Sequence, residues 1–305
     1  MSERRYVRVQ VPASTANLGP GFDALGMALG LYNEVEVEVA GRGLALEILG
    51  EGAERLQALG DRNLVARTVT QTLRHFGVPA EGLRIRMLNR IPLSRGLGSS
   101  SAAVMGGVAA AAALAGVTLE PELMLDLALP YEGHPDNIAP ALLGGLTVAT
   151  LVHGKVRCVK LPVPAGLQAI AVIPEFHLST AMARKALPPT VPRADAVFNV
   201  GRVALFLAAM QSGRFDLLRE AARDRLHQPY RAPLVPGMID VLEEGERAGA
   251  LACFLSGAGP TLLALACEDG GEIGARMMAC WKERAGVTAR AVTLPIAREG
   301  LTLDA

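Results

Sequence analysis

Residues 92–101 read Pro92-Leu93-Ser94-Arg95-Gly96-Leu97-Gly98-Ser99-Ser100-Ser101 and open directly into the alanine-rich segment 102–115. Two glycines allow the backbone to approach a bulky anion, and the serines bring hydroxyl and backbone N–H groups to the start of a helix. Helix N-termini bind phosphate readily because they carry partial positive charge and unpaired donors. The run therefore predicts a phosphate-binding loop. The structural alternative is a glycine-softened turn before a core helix.

This loop differs from the two commonest glycine-rich nucleotide motifs. It contains no lysine, which excludes G-x-x-x-x-G-K-[ST]. Position 101 is serine, where a G-x-G-x-x-G loop needs its third glycine. A dinucleotide-dependent oxidoreductase is therefore disfavoured, and NAD binding would test for one.

Composition indicates a compact globular protein of 305 residues, half of them hydrophobic, with a formal net charge of zero. Nucleic-acid binding normally needs a basic surplus, so no nucleic-acid partner is expected. The longest apolar run, Ala102 to Val117, is shorter than the roughly 20 residues of a membrane span, so it predicts a buried helix and no membrane partner.

The cysteine and histidine patterns help to predict the cellular compartment and whether the chain has a zinc site. The cysteines have no C-x-x-C spacing and are expected to be reduced thiols. No H-x-x-x-H or H-E-x-x-H pattern occurs, which argues against a zinc site. No apolar secretory core follows the first residues. We therefore expect a cytoplasmic protein. The cysteines are Cys158, Cys253, Cys267 and Cys280.

Short alternating strands and amphipathic helices predict an α+β architecture rather than a doubly wound sheet. His153-Gly154 predicts a hairpin turn, and the prolines that follow place a boundary near residue 160, dividing the chain into domains 1–160 and 161–305. A first strand is expected to end at Val11. The predicted helices are 61–76, 102–115, 121–129, 194–211, 215–226, 238–248 and 273–285, and the predicted later strands are 169–173, 251–255, 262–266 and 289–294.

Two further segments carry polar groups suited to a cleft. Small polar residues and glycines fill 12–26, a loop that would place Asn17 and Asp23 inside a cleft, although both residue types also form ordinary turns. In 131–140, Glu132 is a candidate Mg²⁺ ligand together with a serine of the glycine run, because magnesium prefers hard oxygen ligands and shares them with nucleotide phosphates. An exposed carboxylate at a helix end is the alternative.

Anion recognition must rely largely on arginine, since only four of the 30 basic residues are lysine. Arg184 and Arg231 suit an anionic substrate group, because a guanidinium binds a carboxylate through two parallel hydrogen bonds. Taken alone, both would be interpreted as solvated surface residues. The turn Ser256-Gly257-Ala258-Gly259-Pro260-Thr261 permits close backbone approach to a ligand, or is only a hairpin.

Taken in order, these segments resemble the GHMP family of small-molecule kinases over nearly the whole chain. The resemblance rests on 12–26, 92–101, 132–140, Thr180 with Arg184, 226–231 and 256–261. It implies an N-terminal domain like ribosomal protein S5 domain 2 and a ferredoxin-like C-terminal domain, with the active site between them. Ser101, where relatives often carry alanine, is the one small departure.

The resemblance also implies the reaction: transfer of the ATP γ-phosphate to the side-chain hydroxyl of L-homoserine, giving O-phospho-L-homoserine on the route to threonine. By resemblance, Arg184 and Arg231 clamp the α-carboxylate, and Gly259 supports the substrate. Asn17, Asp23 and Asn137 would hold the amino group and the hydroxyl, and Thr180 would line the phosphoryl path.

For the cofactors ATP and Mg²⁺, the resemblance implies that Asn63 and residues Pro92 to Ala102 contact the nucleotide. Ser99 or Ser100 would hold Mg²⁺ together with Glu132. Asp136 is given only a supporting role, because phosphoryl transfer has a loose transition state in which positioning and charge neutralisation dominate. A homodimer is expected from the family's habits.

Two alternatives stay open at this point. A mevalonate- or sugar-type kinase of the same family would act on an uncharged or phosphorylated alcohol, which Arg184, Arg231 and Asp23 suit poorly. A non-catalytic nucleotide-binding module on the same fold should have lost Glu132 or the serines, and both are present.

Overall fold

The computed structural model describes residues 5–267 and 270–304. Its strands are β1 (Tyr6–Asn17), β2 (Gly21–Val39), β3 (Leu44–Gly50), β4 (Leu83–Asn89), β5 (Leu146–Val152), β6 (Lys155–Leu161), β7 (Gln168–Pro174), β8 (Ala252–Leu255), β9 (Leu262–Ala266), β10 (Ala289–Pro295) and β11 (Thr302–Asp304). Its helices are α1 (Ala53–Gln57), α2 (Leu64–His75), α3 (Ser99–Leu114), α4 (Pro121–Glu132), α5 (Ile138–Leu143), α6 (Thr180–Lys185), α7 (Arg193–Ser212), α8 (Leu218–Ala221), α9 (Gln228–Arg231), α10 (Met238–Arg247) and α11 (Gly270–Ala285).

The first sheet has seven strands, in the order β11-β1-β2-β4-β3, with β5 paired to β2 and β6 paired to β5. Only β3 and β4 are parallel, and α1 and α2 connect them. On β2, Val35 and Val37 are buried, whereas Glu36 and Glu38 face charged neighbours on the other side of the sheet. The alternating pattern thus gives one core face and one solvated face, as predicted.

Helix α3 packs on the buried face of this sheet and against α2. Every residue of α3 except Ser100 is buried. Its alanines and glycines let the helix lie close to its neighbours, and the tight packing fixes the start of the helix behind the glycine run. The predicted buried helix is confirmed. Among the described residues, no helix is long and apolar enough to cross a membrane.

The second sheet is antiparallel, with the order β10-β7-β9-β8, and α10 and α11 pack on it. Trp281 is fully buried there and donates its indole N–H to the Pro236 carbonyl at 2.7 Å. The chain then returns to the first sheet, where β11 pairs with β1. The fold class is mixed helix and sheet, as predicted, and the boundary near residue 160 stays a prediction.

Two predicted elements are wrong, for identifiable reasons. Strand β1 continues past Val11 to Asn17, because the small polar residues of 12–17 are buried and pair with β2. The expected helix 215–226 is a short 3₁₀ turn followed by α8, which ends at Ala221. Asp224 accepts the next backbone N–H groups on its carboxylate and so starts α9 instead.

Candidate active site

A cleft of about 340 Å³ lies where the phosphate loop, the first turn of α3 and the turns of the second sheet meet. It gathers the predicted substrate residues Asn17, Asp23, Asn137, Arg184 and Arg231 with residues 92–101. Glu132, Asn63 and Thr180 line it too. Asn17 and Arg231, 214 positions apart in the chain, thus line the same cleft.

The two glycines of the loop are required by close approach. Gly98 is the N-cap of α3 with φ 69°, and a Cβ there would lie 2.0 Å from the Ser14 hydroxyl oxygen. Gly96 has φ 74°, and its Cβ would lie 2.1 Å from the Ser256 carbonyl oxygen. The loop is therefore pressed against β1 on one side and against the turn 256–261 on the other.

The carbonyl groups of the loop are turned away from the cleft. Ser14 N donates to the Leu97 oxygen at 3.2 Å, Thr261 N donates to the Arg95 oxygen at 3.3 Å, and Ser256 Oγ donates to the Gly96 oxygen at 2.6 Å. No described residue accepts a hydrogen bond from the N–H groups of residues 96–100. Those N–H groups and the start of α3 form a concave set of donors suited to an anion.

Arg95 fastens this loop to the end of β7. Its guanidinium donates to the carbonyls of Pro174 at 2.8 Å and Glu175 at 2.6 Å, and it also contacts the ring of His177. A single side chain thus joins the loop to the second sheet through several hydrogen bonds.

Glu132 ends α4 and faces the serines of α3. Its carboxylate accepts a hydrogen bond from Ser101 Oγ. Burial raises the pKa of Glu132, which shows that its charge is incompletely compensated by the protein. A carboxylate and hydroxyl groups beside an anion-binding loop are the donors that Mg²⁺ prefers, so the residues fit this ion.

Part of the cleft lining is an apolar wall. It is lined by Leu56, Leu59 and Val65, with Arg55 and Arg62 at its edge. Asn63, predicted as a nucleotide contact, caps α2 there by accepting from Val65 N at 2.9 Å. Sequence reasoning missed Leu56, because α1 is too short to show a helical period.

Elsewhere in the lining, Asp23 and Arg184 form an ion pair with N–O distances of 2.6 and 3.1 Å. Asp23 and Asn17 both have positive φ, 56° and 71°. Asn17 uses both ends of its amide within the protein: Oδ1 accepts from Asp23 N, and Nδ2 donates to the Gly257 carbonyl. Asn17 therefore supports Asp23 in addition to lining the cleft.

Arg231 is 2 % exposed, and Arg184 lies beside it. Both guanidinium groups lie over the ring of Phe22, at 5.3 and 5.6 Å from its centre. Burial and the neighbouring Arg184 lower the pKa of Arg231 to about 10, so that the group stays charged at neutral pH. Two cations held side by side make this end of the cleft attractive to a carboxylate.

Asn137, His134 and Asp136 complete the wall after α4. Ser14 Oγ donates to Asn137 Oδ1 at 2.9 Å, and His134 Nδ1 lies 3.1 Å from Asp136 Oδ1. Burial opposes charge on His134, but the hydrogen bond and the negative charge of Asp136 together outweigh it and raise the pKa of His134. Sequence reasoning did not single out His134.

Two residues predicted to contact ligands, Ala102 and Gly259, do not line the cleft. Ala102 is buried within α3, and Gly259 N donates to the Ser256 carbonyl at 2.8 Å. Gly257 and Ala258 of the same turn line the cleft in their place. The individual roles given to the site residues remain predictions.

Comparison with known proteins adds family and relatives to this geometry. The family model for the GHMP kinases N terminal domain matches residues 63–145, and the model for the GHMP kinases C terminal domain matches residues 206–282. The first match includes the glycine run and Glu132.

The chain is 47% identical over 262 residues to the homoserine kinase of Carboxydothermus hydrogenoformans, covering 86% of each. It is 41% identical to the homoserine kinase of Persephonella marina, covering 98% of this chain and 99% of that protein. The crystal structure of homoserine kinase from Cytophaga hutchinsonii superposes with a TM-score of 0.87 at 29% identity, covering 100% of this chain and 99% of that one.

Proposed function

The chain belongs to the GHMP kinase family, within its homoserine kinase branch, and from this premise we propose how the cleft divides the reaction among its residues. The enzyme transfers the γ-phosphate of ATP to the side-chain hydroxyl of L-homoserine, giving O-phospho-L-homoserine for threonine biosynthesis. The observation that carries the assignment of roles is the cleft itself, with an anion-binding loop at its centre and a paired aspartate and arginine at one end.

ATP lies with its phosphates against the free N–H groups of residues 96–100 and the N-terminus of α3. Its base lies against the apolar wall of Leu56, Leu59 and Val65, with Asn63 at the edge. Burial of the base on this wall gives affinity, and the fixed amide groups give orientation.

Glu132 holds Mg²⁺ together with a serine hydroxyl of the first turn of α3. When bound, this ion supplies positive charge that neutralises the phosphate oxygens. Ser99 and Ser100 are the two candidates for this hydroxyl.

L-Homoserine lies between Asp23 and the two arginines. Its ammonium group pairs with Asp23, and its carboxylate pairs with Arg184 and Arg231. Asn137, whose Oδ1 is occupied by Ser14, directs an amide N–H towards the substrate hydroxyl. These contacts orient the hydroxyl oxygen towards the loop, with Thr180 at the entrance.

Positioning does most of the catalytic work in this arrangement. A loose transition state demands little of a general base, so Asp136 supports the site through its hydrogen bond with His134. The loop N–H groups stabilise charge on the transferring phosphoryl group because they are fixed before the reaction begins.

We also propose that the protein is cytoplasmic, because its cysteines have no C-x-x-C spacing, and that it is a homodimer, following the habit of its family. Size-exclusion chromatography with light scattering tests the second assignment.

A coupled assay tests the function directly. Purified protein, ATP and Mg²⁺ are combined with L-homoserine, mevalonate or galactose, and ADP release is measured together with the ³¹P signal of the product. We expect turnover with L-homoserine. A higher kcat/KM with mevalonate or galactose would instead assign the chain to another alcohol of the same family.

A further inference from the structure

His227 lies in a buried hydrogen-bond network around Arg231, and the mechanism above gives it no role. It is fully buried, one helical turn before Arg231, at the residue preceding α9. A buried imidazole needs partners for both ring nitrogens, so its contacts define its state.

The two partners of His227 fix its tautomer. Nε2 lies 2.7 Å from the Gly19 carbonyl oxygen and 3.5 Å from Asp224 Oδ2, both of which only accept, so Nε2 carries the proton. Nδ1 lies 3.2 Å from Nη1 of Arg231, which only donates, so Nδ1 offers its lone pair. An imidazolium would set an N–H group against the guanidinium. The geometry therefore requires a neutral ring.

Together with two backbone carbonyls, the contact with His227 satisfies Nε and Nη1 of the Arg231 guanidinium. Nε donates to the Ala183 carbonyl at 3.3 Å, and Nη1 donates to the Gly257 carbonyl at 3.1 Å and to His227. A guanidinium has five N–H groups, so the two on Nη2 remain. No described residue accepts a hydrogen bond from them, and Arg231 lines the cleft.

His227 makes two further contacts, one through its ring and one through its backbone. It stacks on Phe22 with ring centres 5.2 Å apart and planes at 22°, and its backbone N–H donates to Asp224 at 3.0 Å. Phe22 also lies under the guanidinium of Arg231. Because Phe22 borders both groups, a rotation of either one would disturb the other.

We propose that His227 is a positioning residue for the amino-acid substrate: its neutral Nδ1 holds Nη1 of Arg231, so that Nη2 faces the cleft and binds the α-carboxylate of L-homoserine. This inference rests on the proposed function. A neutral acceptor suits this place, because a carboxylate there would pair with Arg231 and compete with the substrate.

Kinetics of His227→Gln and His227→Phe test the proposal. Gln can keep a donor for the Gly19 carbonyl and loses the acceptor for Arg231, whereas Phe keeps only the stacking on Phe22. We expect KM for L-homoserine to rise about tenfold, the effect of one hydrogen bond to a charged group, with KM for ATP nearly unchanged. His153→Gln, in the exposed hairpin turn, is the matched control and should match the wild type. Equal increases in both KM values would overturn the proposal.

A double-mutant cycle separates positioning from general stability. If His227 acts through Arg231, His227→Gln should not lower kcat/KM for L-homoserine further in an Arg231→Leu background. Additive losses would overturn the proposal. Failure of the wild-type enzyme to phosphorylate L-homoserine would instead overturn the proposed function, so the two failures are distinguishable.

A measurement on the wild-type protein tests the tautomer of His227 even if the His227 variants fold poorly. ¹⁵N-histidine NMR at pH 7 should show one ring in the neutral Nε2–H form with a slowly exchanging proton. The signal is assigned by replacing the other four histidines one at a time. A protonated ring or the Nδ1–H tautomer at His227 would contradict the proposal.

Discussion

Asp23 and Arg184 face each other in a two-point ion pair although 161 residues separate them in the chain. The pair sets one negative and one positive group where, in the proposed function, the ammonium and carboxylate of an amino acid bind. When a zwitterionic substrate binds, its ammonium group can take the place of Arg184 beside Asp23, and its carboxylate can take the place of Asp23 beside Arg184. The site therefore loses little electrostatic energy on binding. An uncharged alcohol offers no such exchange.

Asp23→Asn should therefore weaken homoserine binding specifically. The change removes the negative charge that pairs with Arg184 and, in the proposed function, with the ammonium group. We expect kcat/KM for L-homoserine to fall about 30-fold or more, equivalent to about 2 kcal/mol, with KM for ATP little changed. Asp216→Asn removes an exposed partner of Arg214 and serves as the control. Equal losses in the two variants would refute the assignment.

Gly98→Ala tests the close approach of the phosphate loop to β1. We expect a loss of unfolding free energy of about 2–4 kcal/mol, from positive φ and from the clash with Ser14, together with a higher KM for ATP. Gly41→Ala shares a positive φ, 74°, but has no atom within 4 Å of its Cβ, so it isolates the cost of φ alone. Denaturant unfolding measures both. Equal losses of unfolding free energy in the two variants would show that the structure relieves the clash with Ser14 at little cost.

Arg95→Ala should loosen the attachment of the loop to β7. Since the loop N–H groups then lose their fixed orientation, we expect KM for ATP to rise about tenfold, with a smaller change for L-homoserine. Arg95→Lys keeps the charge without the fork and should rescue little. Arg290→Ala, which removes an exposed pair with Glu51, is the control, and steady-state kinetics provide the measurement. An Arg95→Ala enzyme that behaves as this control does would exclude the anchoring role.

Glu132→Gln should lower kcat about 100-fold at saturating ATP and raise the Mg²⁺ concentration needed for half-maximal rate. Chelation with EDTA should abolish wild-type activity and added Mg²⁺ should restore it. Glu122→Gln, exposed in the first turn of the same helix, should be neutral. An unchanged magnesium dependence in Glu132→Gln would remove this residue from the metal site.

Stability should fall at acidic pH through His227. Burial lowers its pKa below the usual 6.5, reinforced by Arg231 and opposed by Asp224, the Gly19 carbonyl and Asp23. The unfolded chain therefore binds a proton that the folded protein rejects, and the stabilisation present above pH 6.5 is lost as pH falls from there towards the lower folded pKa. Urea unfolding from pH 8 to 5 should show a flatter profile for His227→Gln. Parallel profiles would count against a neutral buried ring.

Local signals allowed the phosphate loop, α3, the hairpin at His153-Gly154 and the second sheet to be predicted from the sequence. Each depends on neighbours within a few residues: glycines before serines, an apolar period, or a two-residue turn. The resemblance added the substrate residues, and the structure brings them to one cleft, with Gly259 and Ala102 just behind its lining.

Other features depend on distant partners and left no local signal. Residues 12–17 look like a loop because they are small and polar, yet β2 pairs with them along their length. After α8, the carboxylate of Asp224 accepts hydrogen bonds from the backbone N–H groups of the following turn. The pairing of Asp23 with Arg184, and the roles of Ser256 and Arg95 behind the loop, required the tertiary structure.

The carbonyl oxygens of the glycine run (92–101) accept hydrogen bonds from groups of β1 and of the turn before β9. The proposed nucleotide-binding site therefore depends on both halves of the polypeptide. Two fragments made by cutting the chain between β6 and β7 would each lack half of the scaffold. Nucleotide affinity would then report their reassembly, and the enzyme would suit a split-protein complementation format in which ATP binding signals that the fragments have met.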